Sequence, residues 1–113
     1  MSNQNQNDTD ILNFDKSRVY VIRYSKGENW VEGKSIMEQD LIAHGKYMET
    51  SLNDGKLLLG GPLMSKAGGM VVLHNVSKSY VDEFIATDPG VTNGVFKAEI
   101  EDWFVAFKGL KLL

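Results

Sequence analysis

The sequence predicts an α+β domain: one four-stranded antiparallel sheet with two helices on one face, in the order β-α-β-β-α-β. Three observations predict it. Short β-branched or aromatic runs stand at 18–24, 56–63, 70–76 and about 95–107. Two stretches with apolar residues at helical spacing separate the first run from the second and the third from the fourth. A tight turn at 66–69 joins the middle pair.

The first strand, 18–24, is apolar on both pleat faces and so belongs in the middle of the sheet. The connection that follows, 25–34, is long for so small a domain and carries two glycines and Trp30. Loops of that length are often functional. Ser35 and Glu38 form a capping-box signal for the first helix. Met37, Leu41, His44, Met48 and Leu52 then fall on one face, and Asn53-Asp54-Gly55 closes the helix with Gly55 in the left-handed position.

Pro62 has no N–H to give a ladder, so the second strand is expected at an edge. The third strand, 70–76, reads as central. Ser77 or Ser79 caps the second helix, with Val81, Phe84 and Ile85 inward, and Pro89 ends it at Asp88. The last strand has Lys97, Glu99 and Glu101 along one face, which suits the other edge.

This is the split βαβ, ferredoxin-like plan. Two helices cover one sheet face only. The other still carries apolar residues, among them Trp103, Val105 and Phe107 or their alternates. A homodimer packed through that open face is the expected cover. Residues 1–16 are expected to form a flexible polar tail, from which Ile11, Leu12 and Phe14 could dock, and 17–113 a single domain.

Composition narrows the function classes. Of 113 residues, 42% are apolar and 24% charged, and there is no cysteine, which removes disulfides, thiolate metal sites and cysteine nucleophiles. Two histidines make a histidine metal cage an unexpected arrangement, and no metal or cofactor is expected. The net charge of −3 opposes a general nucleic-acid surface. An RNA-recognition module of this topology would need aromatics on the third strand, which has none. No apolar run approaches the roughly 20 residues of a membrane span, and the N-terminus lacks signal-peptide character, so a cytoplasmic home is the expectation.

The ordered set Leu41-Ile42-Ala43-His44, then 53–62 (Asn-Asp-Gly-Lys-Leu-Leu-Leu-Gly-Gly-Pro), then Asp88-Pro89-Gly90 and Gly94-Val95-Phe96 resembles the YciI-related (YCII, DGPF-type) family. The resemblance covers residues from about 19 to 107. It implies a dimeric α+β barrel and an active-site pair formed by His44 and Asp88. The chain departs from the family pattern in Gly90, where an aromatic is frequent, and in the longer Trp30-bearing loop.

By spacing alone, His44 reads as a hydrogen-bonded structural histidine, and Asp88 before Pro89 reads as an ordinary turn signal. The resemblance favours instead a general acid/base held by a carboxylate, on a chemistry of proton transfer. Asp40, one turn before His44, competes for the same ring. Gly60, Gly61 and Pro62 either let backbone approach a ligand beside His44 or merely bend a strand end; they form no phosphate loop. Arg23 is a candidate for a substrate carboxylate or phenolate, against the commoner edge salt bridge. Trp30 is a candidate pocket wall or partner contact, and His74 reads as structural or solvated.

The resulting expectation is a cofactor-independent enzyme that isomerises, cleaves by elimination or hydrolyses a small aromatic or lactone-like compound. The competing reading is a non-catalytic ligand-binding or accessory dimer of the same fold.

Overall fold

The computed structural model describes residues 17–109. The expected tail, 1–16, and residues 110–113 lie outside the described residues. Strands β1 (Arg18–Lys26), β2 (Leu57–Pro62), β3 (Gly69–Leu73) and β4 (Phe96–Phe104) form one antiparallel sheet in the order β2-β3-β1-β4. Helices α1 (Ile42–Asn53), α2 (Lys78–Thr87) and the single turn α3 (Pro89–Thr92) complete the ferredoxin-like α+β fold.

The strand placements follow from the side chains. On β1, Ile22 pairs with Val71 on one side and Ile100 on the other, so it is closed in from both flanks and fully buried. Ile22, Tyr24, Val71, Leu73 and Phe96 form the main core with Val81 and Phe84 of α2. Each such aliphatic or aromatic side chain contributes about 1.5–3 kcal/mol relative to leaving it in water. The alternate residues Val19, Val21 and Val72 make a separate cluster on the helix-free face, joined by Leu58 and Val105. Pro62 sits on edge strand β2 opposite Gly69. A bulge between Leu57 and Leu59 turns Leu58 onto the helix-free face.

Three boundaries differ from the sequence reading. The Ser35–Glu38 signal caps a 3-10 turn (Ile36–Glu38), not α1: the Glu38 carboxylate accepts the Ser35 N–H at 3.0 Å, and the backbone is extended again at Gln39. The cause is the Gln39 side chain, which is buried and bonded to the loop behind it. Its amide donates to Val31 O at 3.0 Å and Lys34 O at 3.2 Å, and its Oε1 accepts from Val31 N–H at 2.9 Å. A residue holding the loop in that way cannot also continue a helix, so α1 starts at Ile42 and Met37 is left 87% exposed.

The last strand ends at Phe104 rather than Phe107. The third ends at Leu73, because Asn75 adopts φ +58° and turns the chain toward α2. At the far end of α1, Gly55 takes φ +76°, and its N–H and that of Lys56 close onto Leu52 O and Ser51 O.

Candidate active site

Asp88 occupies a junction between two helices. It follows the last residue of α2 and precedes Pro89, the first of α3, with φ −65° and ψ 121°. Proline there forbids the α conformation at Asp88, so α2 must stop and the carboxylate turns inward. It is fully buried, and three donors satisfy it. Tyr24 Oη donates to Oδ2 at 2.8 Å, Gly90 N–H to Oδ1 at 2.9 Å, and His44 Nδ1 lies 2.7 Å from Oδ1. Burial of an ionised carboxylate is tolerable only with such partners.

The carboxylate fixes the imidazole. An ionised Asp88 can only accept, so Nδ1 carries the hydrogen and Nε2 is the nitrogen left to exchange protons. The ring stands edge-on to Tyr24 and Phe96, with centroids 5.3 Å away in each case. Burial and the neighbouring Asp88 charge push the Tyr24 hydroxyl far above the usual phenol range, so at neutral pH it is a donor to Asp88. Tyr47 on α1 donates to Phe84 O at 2.9 Å and ties the two long helices together beside the pair.

Gly90 is required by this packing. A Cβ at that position would lie 2.7 Å from His44 Nδ1.

His44 is 15% exposed and lines a cleft of about 560 Å³ between α1, the loop before it and the β2–β3 end of the sheet. Gly60, Gly61 and Pro62 form one wall and Leu41, Met48 and Leu52 another, with Ile36 and Met37 at the mouth. The structure thus brings five sequence-nominated residues into one region: His44 and Asp88 as a bonded pair, and Gly60, Gly61 and Pro62 beside it.

Two others are elsewhere. Arg23 lies on the helix-free sheet face, where it pairs with Glu101 at 3.2 Å; the strand alternation that buries Tyr24 points Arg23 the opposite way. Trp30 is buried in the main core against Phe96, with ring centroids 6.0 Å apart, and is not part of the cleft wall. Asp40 makes no bond to His44, since it lies before the first turn of α1 rather than within it.

Sequence reading missed Tyr24 and Gln39. Tyr24 carries a signal in retrospect: it is the one hydroxyl-bearing residue on the inward face of the central strand at the His44 end. Gln39 carries none, because a lone glutamine in a loop has no pattern.

The chain belongs to the YCII-related domain family, whose model matches residues 19–104. Among solved structures, it is similar to 5-chloro-2-hydroxyhydroquinone dehydrochlorinase from Burkholderia phenoliruptrix AC1100 in complex with 2,5-dihydroxybenzoquinone. The two are 24% identical with a TM-score of 0.58, over 75% of this chain and 92% of that one. That likeness concerns the fold. No curated protein matches the chain.

Proposed function

We propose that this protein is a cofactor-independent enzyme that moves a proton on a small ring compound, with His44 as general acid/base and Asp88 as the carboxylate that orients it. The observation that carries the reading is the 2.7 Å contact between His44 Nδ1 and a fully buried Asp88, at the edge of an accessible cleft. A bond of that geometry fixes the tautomer and stabilises the imidazolium once it forms.

In an elimination, His44 Nε2 takes the proton from a ring carbon or hydroxyl. The electron pair left behind forms the new double bond, and the leaving group departs with its own pair. In an isomerisation the same imidazolium returns the proton at a second atom. Tyr24 and the Gly90 N–H hold Asp88 still while the positive charge appears and disappears.

The similar dehydrochlorinase of Burkholderia phenoliruptrix makes halogenated hydroxyquinols the first compounds to assay, with chloride release as the readout. We expect turnover in the native protein and a loss of about 10²–10⁴-fold in His44→Ala. Undiminished turnover in His44→Ala overturns the assignment. A folded native protein that binds such rings near His44 and converts none of them favours the binding-module reading.

The active form in this proposal is a homodimer joined through the helix-free sheet face, where Trp103 is 50% exposed next to the Val19, Val21 and Val72 cluster. Among the described residues no helix is long and apolar enough to cross a membrane.

A further inference from the structure

The charges around the cleft bear on what can enter it, an inference that rests on the enzyme reading above. Among the described residues, neither lysine nor arginine lines the cleft. Two carboxylates bear on it instead: Asp88, directly behind the imidazole, and Glu49, which sits exposed one helical turn beyond Gly45 on α1 and has no ion-pair partner among the described residues. The remaining lining comes from Tyr24, Gln39 and Phe96 together with aliphatic side chains, thioethers and glycine backbone.

Lys46 and Lys56 adjoin the cleft residues Gly45 and Leu57 in sequence but do not line the cleft; Lys46 is exposed, and Lys56 Nζ stands 5.9 Å over the Tyr80 ring. Lys26, Lys34 and Lys66 line a hollow on the far side of Met37 and Pro62. Lys26 is paired with Glu32 at 2.8 Å and Lys34 with Glu38 at 4.0 Å. Arg23 is on the other side of the sheet.

From this we infer that the cleft admits ring compounds that arrive uncharged and rejects carboxylates of the same shape, with Glu49 as a determinant of that preference. An arriving anion meets the buried Asp88 in a setting that screens poorly and the exposed, better screened Glu49 at the rim, and among the described residues no lysine or arginine lines the cleft to offset them. A neutral ring meets largely apolar walls, the uncharged Tyr24 and Gln39, and the exchangeable Nε2. The negative charge that the reaction creates arises together with the imidazolium, so the site compensates it at the moment it forms. An anion present beforehand has no such partner.

The test uses a matched pair of probes, 4-hydroxybenzamide and 4-hydroxybenzoate, titrated at pH 7.5 into the full-length protein and into Glu49→Gln. Binding is followed by the NMR signals of the His44 ring and the Gly61 amide. The amide is expected to bind at least tenfold more tightly than the carboxylate, and the ratio to narrow several-fold in Glu49→Gln, an exposed change that leaves the core intact. Equal or tighter binding of the carboxylate overturns the charge selection and leaves the site assignment standing. A ratio unchanged in Glu49→Gln removes Glu49 as its source and overturns that part. If neither probe shifts the His44 or Gly61 signals, the cleft is not a ring-binding site, and both this inference and the proposed function fall.

Discussion

At Asp88 a single carboxylate receives hydrogen bonds from three different elements, Tyr24 on β1, His44 on α1 and Gly90 on α3. Replacing it by asparagine keeps the volume but gives the site a donor where it had only acceptors. We expect Asp88→Asn to fold and to lose turnover by a factor comparable to His44→Ala, with the imidazole's other tautomer visible in its nitrogen shifts. Tyr24→Phe removes one donor from the buried charge and should cost about 1–3 kcal/mol in a denaturant melt. It also changes the response to alkali. The folded Tyr24 hydroxyl keeps its proton beyond the pH near 10 at which the unfolded chain loses it. The stability it supports is therefore complete below that pH and declines above it, by up to about 1.4 kcal/mol per pH unit. Melts of Tyr24→Phe should fall less steeply above pH 10 than those of the native chain, with Tyr47, also raised by burial, accounting for part of what remains. Gly90→Ala should drive the His44 ring off Asp88 at a cost of about 1–3 kcal/mol, read as loss of the hydrogen-bonded Nδ1 proton signal.

At the scale of elements, sheet order was legible because burial leaves a two-faced or one-faced apolar pattern that the eye can follow. Residues 18–24 and 70–76 read as central strands, Pro62 marked one edge, and the alternating Lys97, Glu99 and Glu101 marked the other. The sequence narrows the α2 start to Ser77 or Ser79, and it is Ser77 that accepts the Tyr80 N–H at 3.1 Å. What misled was a local signal without its tertiary context. The Ser35–Glu38 pair caps whatever turn follows it, and nothing nearby in sequence shows that Gln39 will bind the carbonyls of Val31 and Lys34 instead of extending a helix. Gln39→Ala should free those groups, and hydrogen exchange at the Val31 amide should rise sharply while core amides of β1 stay protected. The His44–Asp88 pair came from the family pattern, since spacing within one helix cannot name a partner 44 residues away. The misplaced Arg23 shows the converse: strand alternation next to Tyr24 already sends it to the opposite face once Tyr24 is known to be inward.

For the whole molecule, the two sheet faces divide the labour. One is sealed by α1 and α2 and holds the catalytic candidates; the other presents Val19, Val21 and Val72 with Trp103 beside charged Arg23, Glu99 and Glu101. If two copies meet on that second face, Trp103→Asp should shift the protein to the monomer in sedimentation, and the His44–Asp88 bond should persist in each separated copy because both residues come from one chain. A native protein that sediments as a monomer at high concentration removes the dimer from the proposal.

The junction at Asp88 also has a consequence for reading relatives. Its side chain starts α3 through the Gly90 N–H while its backbone ends α2, so the fold needs a short side-chain acceptor there whether or not any reaction takes place. Under the proposed function, a descendant that lost turnover would be held to an aspartate or asparagine by the α2–α3 junction and released from the histidine. Across such a lineage, retention of the residue at position 44, and not at 88, is what would mark the copies still working.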